Sequence, residues 1–99
     1  MSKKIEYTDK GYSYIKFVPE DCFKWGGGCI CDSCGESMEK EDNIYLVWVL
    51  HGALCESCFK EWCNRSIRYE DDIQMQKECD TKYYKAYCQA INEKIVGEL

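Results

Sequence analysis

The chain has 99 residues, carries a formal net charge of −5 at pH 7 and contains nine cysteines. This length suits one domain and is too short for two separate hydrophobic cores. The longest purely apolar run, IYLVWVL at residues 44–50, is too short to cross a bilayer. The first residues include lysines but no apolar stretch behind them, so we expect no secretory signal, no membrane attachment and a cytoplasmic location.

The N-terminal segment, residues 4–18, predicts a β-hairpin. Apolar and polar residues alternate there with the period of a strand, and DKG between the two halves suits a short loop in which Gly11 takes a positive φ. Pro19 is expected to end the second strand, because proline cannot donate to a sheet. We therefore assign residues 1–21 to an N-terminal hairpin. The three glycines at residues 26–28 predict a joint that leads to the first cysteine motif.

Two Cys-x-x-Cys motifs, CDSC and CESC, lie in the centre of the chain with twenty residues between them. Such pairs hold a metal, form disulfides or carry redox chemistry. Thiols stay reduced in the cytosol, and nine cysteines cannot all pair internally, so a disulfide framework is disfavoured. Thioredoxin-like chemistry needs a pair within a βαβ setting, which this sequence lacks. Four thiolates suit tetrahedral zinc, and we predict one structural zinc ion per chain with these ligands: Cys31, Cys34, Cys55 and Cys58.

The residues that follow each pair predict different local structures. Gly35 follows the first pair and can adopt a left-handed conformation at no steric cost, which allows a tight knuckle. Residues 44–54 predict a second β-hairpin, with His51 and Gly52 at its turn. After Cys55, apolar residues recur at steps of three and four, which predicts an amphipathic helix. The second pair then lies on the first helical turn, where the helix dipole favours thiolate.

Knuckle, hairpin and helix in this order resemble the treble-clef four-cysteine zinc finger. The resemblance covers residues 29–68, under half the chain. A zinc ribbon would carry a second knuckle followed by a strand, and FKEW after Cys58 argues against that arrangement. Similar modules occur in GATA-type fingers, LIM domains and small bacterial and phage proteins. The resemblance therefore implies a fold and a metal but no particular function.

The C-terminal segment, residues 71–97, is predicted to be helical. The acidic residues 70–72 supply a cap and favourable charge for a helix start. Residues at helical spacing predict one buried face, which consists of Tyr84, Tyr87, Cys88, Ile91 and Ile95. Tyr83 is adjacent to Tyr84, so only one of the two can turn fully inward. Residues 79–81 could end one helix and cap the next, and the sequence leaves open whether residues 73–96 form one helix or two.

The other cysteines and the single histidine have simpler predicted roles. Cys63 and Cys88 are expected to be small buried hydrophobic residues. His51 is expected to be an exposed turn residue and not a ligand. A second metal site is conceivable only if the two ends of the chain meet in space, and its ligands would be Cys22, Cys29, Cys79 and Cys88.

Together these observations predict a single α+β domain, residues 1–99, without enzymatic activity. One histidine leaves no plausible nucleophile–base pair, and zinc held by four cysteines has no open position for water. The negative charge makes nucleic-acid binding unlikely, although a GATA-like regulator using Lys60, Arg65 and Arg68 is one alternative. An acidic phage or mobile-element inhibitor of a nucleic-acid-handling enzyme is another. The favoured function is binding to a protein partner through the hairpin and helix that the metal fixes; the many tyrosines are of a type enriched at interfaces, and a homodimer is also compatible.

Overall fold

The computed structural model describes residues 3–26 and 29–96. The fold is mixed α+β, as the sequence predicts. The elements in chain order are β1 (Lys3–Lys4), β2 (Glu6–Tyr7), β3 (Ser13–Phe17), α1 (Pro19–Lys24), β4 (Ile44–Val47), β5 (Gly52–Leu54), α2 (Glu56–Arg65), α3 (Glu70–Ala90) and β6 (Ile95–Val96).

A four-stranded antiparallel sheet with the order β2-β3-β4-β5 forms the centre of the fold. All four residues of β4 are buried, because helices cover both faces of the sheet. On one face, Phe59 of α2 stacks on Tyr45 of β4 with ring centroids 4.1 Å apart. On the other face, Trp25 after α1 contacts both Phe17 of β3 and Tyr87 of α3. Burial on both faces explains why this strand is continuously apolar and does not alternate.

The predicted N-terminal hairpin is confirmed as the pair β2–β3, and Gly11 in its loop has a φ of 90°. The predicted boundary at residue 21 is wrong, because β3 ends at Phe17 and residues 19–24 form a helix. Pro19 opens α1 at its first helical position, where the missing N–H costs nothing and the fixed φ suits a helix. The glycine joint lies mostly outside the described residues, since only Gly26 of the three is described.

The second predicted hairpin is also confirmed. Strands β4 and β5 pair antiparallel, and His51 occupies the turn between them with a φ of 49°. His51 is exposed, as expected, and its ring lies against the rings of Trp48 and Tyr83. Helix α2 follows β5 after a single intervening residue, Cys55, so the metal-site cysteines of the second pair are placed directly beside the hairpin.

The C-terminal segment contains one unbroken helix, because residues 79–81 lie inside α3. The expected helical segment up to residue 97 is wrong beyond Ala90. Asn92 takes a φ of 61°, which ends the helix, and the chain then pairs β6 parallel with β1. Ile95 is buried as predicted, but it projects from this strand and not from the helical face. Residues 97–99 lie outside the described part of the chain.

Helix α3 buries the residues that its spacing predicts. Tyr84, Cys88 and Ile91 are buried, whereas Tyr87 is half-buried. Of the adjacent tyrosines, Tyr84 is fully buried and Tyr83 only partly so. This face lies against the sheet on the side opposite α2, and the metal-site cysteines lie near the end of the sheet where β5 meets α2.

Candidate metal centre

The four cysteines of the two Cys-x-x-Cys motifs come together in space. Cys31 and Cys34 lie in a turn that is closed by a single antiparallel bridge between Ile30 and Ser37. Cys55 is the residue that caps the start of α2, and Cys58 lies in the first turn of that helix. The four sulfur atoms all lie within 4.8 Å of one another. The cluster could therefore hold a metal ion.

The separation of two of the sulfur atoms matches that expected around a tetrahedral ion. Four sulfur ligands at the usual zinc–sulfur distance of about 2.3 Å lie about 3.8 Å from each other. The Sγ atoms of Cys34 and Cys55 are 3.9 Å apart. This separation is far longer than a disulfide bond of about 2.05 Å, so the two sulfurs are placed as ligands of one ion.

Backbone N–H groups surround the sulfur of Cys31. They are donated by Ser33 at 3.4 Å, Cys34 at 3.5 Å and Cys55 at 3.4 Å. Burial acts to raise the pKa of the Cys31 thiol, but the donors from Cys34, Cys55 and Ser33 outweigh it and lower the pKa to about 6. A thiolate is the form that binds metal, and Cys31 reaches it below neutral pH.

The knuckle depends on the conformation of Gly35. Its φ is 76°, in the left-handed region that favours glycine. This turn directs the Gly35 N–H to the Cys31 carbonyl oxygen at 2.9 Å. The chain therefore folds back behind Cys34, and the predicted reason for a glycine at this position is confirmed.

Two other cysteines of the cluster hold their protons more tightly. Burial raises the pKa of Cys55. A hydrogen bond with the Cys55 side chain is the main cause that raises the pKa of Cys58, to about 12. Thiolates this close together repel one another, so the first proton leaves easily and the others do not. A divalent cation removes that repulsion and favours the thiolate form of every ligand.

Asp32 ties the knuckle to strand β5. Its carboxylate accepts the Ala53 N–H at 2.7 Å, and its own N–H donates to the Ala53 carbonyl oxygen at 2.9 Å. A Cβ added to Gly52 would lie 2.6 Å from the Asp32 carboxylate oxygen. A side chain at this position would therefore force the Asp32 side chain to shift. Sequence reasoning assigned Gly52 only to the turn and did not identify this contact.

The remaining cysteines do not form a second site. In residues 3–26 and 29–96, the only group of metal-ligating side chains within ligand distance is the cluster of the two motifs. Cys22, Cys29 and Cys88 are buried, whereas Cys79 is exposed on α3. Burial raises the pKa of Cys22 to about 12, and the neighbouring Cys29 adds to the effect. The hypothetical second metal site is thus not assembled by this fold.

No family model, curated protein or solved structure matches the chain. The site is therefore characterised by its own four cysteine sulfurs and the distances between them. Within the part of the chain that the structure describes, no helix has the length and apolar character needed to span a membrane.

Two adjoining cavities line the surface next to the cluster. The first, of about 230 Å³, includes Cys58 in its wall, and the second, of about 280 Å³, includes Ile67 and Tyr69. They share three lining residues, which are Leu50, Trp62 and Arg65. We call them together the α2 groove. It joins the metal centre to the start of α3.

The three basic residues considered for nucleic-acid binding are placed differently. Lys60 pairs with Glu56 at 3.0 Å, and Arg68 pairs with Glu70 at 2.7 Å. Only Arg65 faces the α2 groove. The structure therefore does not gather these side chains into one unpaired basic patch.

Proposed function

We propose that this protein is a non-enzymatic, cytoplasmic zinc-binding protein that acts by binding another protein. The observation that carries the proposal is the position of the four-cysteine cluster between the knuckle, the β4–β5 hairpin and α2. A metal at this position fixes the walls of the α2 groove relative to one another. In this proposal the module of residues 29–68 is a treble-clef finger, and the ion is structural.

The donor chemistry supports zinc. Four cysteine sulfurs select a soft ion that accepts tetrahedral geometry, and zinc is the common structural ion of such sites. With four protein ligands the ion has no free position for a water molecule or a substrate. Cys31, Cys34, Cys55 and Cys58 then contribute to folding, and the proposal assigns the function to the surface that they hold in place.

The exposed side chains of the α2 groove support a protein partner. The exposed fractions of Leu50, Ile67 and Tyr69 are 43%, 63% and 57%. Large apolar side chains that line a cavity of about 280 Å³, the second of the two in the groove, are typical of a binding surface. Arg65 lies among them, and both arginine and tyrosine are enriched at protein interfaces.

The charge of the chain favours a partner with a basic surface. At a net charge of −5, long-range attraction speeds association with a positive partner. A second copy of the chain carries the same charge, so a different protein is favoured over a homodimer. An acidic inhibitor of a nucleic-acid-handling enzyme is a narrower form of this proposal, supported by size and charge.

Affinity capture with matched variants tests the proposal. The metal-loaded protein and its Ile67→Asp variant are used as baits in an extract of the source cells. Met75→Asp is the control, because Met75 is also a large exposed apolar residue but does not line the α2 groove. We expect a discrete protein to be retained by the wild type and the control and lost with Ile67→Asp. Retention of the same proteins by all three baits contradicts the proposal.

A titration against mixed-sequence DNA and RNA tests the alternative that the protein is a nucleic-acid-binding regulator. Three cations neutralise at most three phosphates, which gives a log–log salt slope no steeper than about −2.7. Lys60 and Arg68 are already paired with carboxylates, so we expect no binding at physiological salt. Salt-sensitive binding that Arg65→Glu abolishes would favour the regulator instead.

A further inference from the structure

A third cavity, of about 210 Å³, lies beside the β4–β5 turn and is lined by aromatic side chains and one carboxylate. The rings of Trp25 and Tyr87 form two of its walls, with centroids 5.1 Å apart and planes at 81° to each other. His51 and Asp32 also line it, and the exposed Ile30 lies at its edge. We call it the aromatic cavity.

The walls of the aromatic cavity are held by packing behind them. The rings of Trp25 and Phe17 are perpendicular with centroids 4.7 Å apart, and Phe17 is fully buried. The Tyr83 ring lies between the rings of Tyr87 and His51, with centroid distances of 5.3 Å and 5.8 Å. Packing therefore restrains the rings that line the cavity, which reduces the entropic cost of binding.

Asp32 supplies a negative charge that the described part of the chain does not neutralise. One of its oxygens accepts the Ala53 N–H, and no ion pair to Asp32 is present among residues 3–26 and 29–96. The carboxylate is fixed by that hydrogen bond and is open to solvent. A carboxylate beside two aromatic rings favours cations over anions, because the charge of the carboxylate is negative and so are the faces of aromatic rings.

We propose that the aromatic cavity binds the ammonium group of a lysine side chain. The proposal rests on the proposed function, because the lysine belongs to the protein partner. The ammonium group contacts the ring faces and pairs with the Asp32 carboxylate, while its aliphatic stem lies along Ile30. A lysine-bearing partner also matches the net charge of −5.

The geometry favours lysine over other cations. An ammonium group donates hydrogen bonds and can therefore reach the free oxygen of Asp32, whereas a quaternary ammonium cannot. The planar guanidinium of arginine stacks face to face on a ring, which the perpendicular arrangement of Trp25 and Tyr87 permits on only one wall. Lysine uses both walls and the carboxylate at once.

Nuclear magnetic resonance of the metal-loaded protein tests the site directly. The probes are Nα-acetyl-lysine methylamide, the same compound acetylated at Nε, and tetramethylammonium. We expect the lysine compound to shift the indole N–H signal of Trp25 saturably and to leave that of Trp62, in the α2 groove, unchanged. The acetylated compound, which lacks the charge, should not shift it. An equal shift by both compounds, or no shift by either, overturns the proposal.

Two aspartate variants provide the matched comparison. Asp32→Asn removes the charge but keeps an oxygen that can accept the Ala53 N–H, so the fold and the bound metal should be retained. We expect it to weaken lysine binding by about two- to fivefold, as expected for loss of one ion pair to a solvent-exposed carboxylate. Asp32 lines the α2 groove as well as the aromatic cavity, whereas Asp72 lines only the groove, so Asp72→Asn should bind like the wild type. Unchanged binding by Asp32→Asn overturns the role of the carboxylate.

The three probes distinguish the possible ligands. The titration and the affinity capture together distinguish the two proposals. Tighter binding of tetramethylammonium than of the lysine compound would identify a quaternary ammonium ligand and overturn the lysine assignment. The titration contains no partner, so its failure leaves the result of the Ile67→Asp capture unaffected. Lysine binding without any groove-dependent partner would instead overturn the proposed function and remove the reason to assign the ammonium group to a protein.

Discussion

The hydroxyl group of Tyr84 donates a hydrogen bond to the backbone carbonyl oxygen of Ser13 at 2.8 Å. The same oxygen of Tyr84 accepts the backbone N–H of Trp48 at 2.9 Å. One side chain of α3 therefore satisfies polar backbone groups of β3 and of the turn after β4, and all of these groups are buried. These two hydrogen bonds fix the position of α3 on the sheet, which apolar contact alone does not do.

Replacing Tyr84 by phenylalanine should destabilise the protein by about 1–3 kcal/mol. The substitution keeps the ring but leaves the Ser13 carbonyl and the Trp48 N–H buried without a partner, and an unsatisfied buried group costs about that much. The measurement is urea denaturation of the metal-loaded protein, compared between the variant and the wild type.

Tyr83→Phe is the matched control on the next residue. The Tyr83 hydroxyl is buried and has no hydrogen-bond partner among the described residues. Its removal should leave the free energy of unfolding unchanged or increase it. An equal loss of stability in both variants would mean that the hydrogen bonds of Tyr84 make no specific contribution to the free energy of unfolding.

Replacing any one of the four clustered cysteines by serine should abolish stoichiometric metal binding and unfold the central module. Structural zinc contributes on the order of 10–16 kcal/mol in small fingers, which is comparable to the whole stability of a domain. Metal analysis and circular dichroism of Cys31→Ser, Cys34→Ser, Cys55→Ser and Cys58→Ser measure both effects. A purified wild-type protein without zinc, iron or cobalt would contradict the metal site.

Alanine at two other cysteines provides the comparison for the ligand variants. Cys63 is half-buried on α2 and Cys88 is buried on α3, and neither belongs to the cluster. Cys63→Ala and Cys88→Ala should keep one metal ion per chain and lose only packing, about 0.5–3 kcal/mol. Loss of metal in either of them would show that the ligand set is larger than four.

Acid should release the metal, because protons compete with it for the cysteine thiolates. The pKa of Cys31 in the folded chain, about 6, lies below the value of about 8.5 for an unfolded thiol. Such a group stabilises the fold fully above pH 8.5, and its contribution disappears as the pH falls through about 6. A metal-sensitive dye, read as the pH is lowered, should report retention at neutral pH and release in acid.

Two glycine variants distinguish the effect of the knuckle on metal release from the effect of a general loss of stability. Gly35 and Gly26 both have positive φ, and a Cβ meets no atom within 4 Å at either position. Alanine therefore introduces similar backbone strain, about 1–2 kcal/mol. Gly35→Ala should release metal at higher pH, because it distorts the turn behind Cys34. Gly26→Ala, outside the knuckle, should not. A shift of the same size in both would contradict this role of the knuckle.

The contact between Gly52 and Asp32 should appear as a coupling energy. Gly52→Ala places a methyl group 2.6 Å from the Asp32 carboxylate oxygen, and we expect a loss of about 1–3 kcal/mol from overpacking. In an Asp32→Ala background the carboxylate is absent and only the Cβ of residue 32, 3.1 Å away, remains, so the same substitution should cost less. Urea denaturation of the two single variants and the double variant measures the difference. Additive losses would mean that the side chain moves aside freely.

Local spacing was sufficient to predict which four cysteines come together and the elements that carry them. Cysteine pairs, a turn glycine after Cys34 and the change from strand to helix period after Cys55 are all short-range signals, and each corresponds to an element of the structure. The continuity of α3 was not predictable in this way. Asp80 lies within the helix and is buried, and a buried position there depends on packing that the local sequence does not specify.

Features that join distant parts of the chain could not be predicted. Helix α1 has only six residues, too few to show a period. The aromatic cavity combines Trp25, Asp32, His51 and Tyr87, which come from four separate segments. Nothing in the sequence near Trp25 indicates Tyr87 as its neighbour. Such sites appear only after the sheet has set the positions of α1 and α3.

The pairing of β1 with β6 has a consequence for the order of folding. It joins Lys3 to Ile95, near the two ends of the sequence, through only two residues on each side. Closing so long a loop for so few hydrogen bonds is unfavourable until the intervening chain is already compact. The β1–β6 pair should therefore be the last contact to form and the first to open. Its amide hydrogens should exchange well before those of β3 and β4.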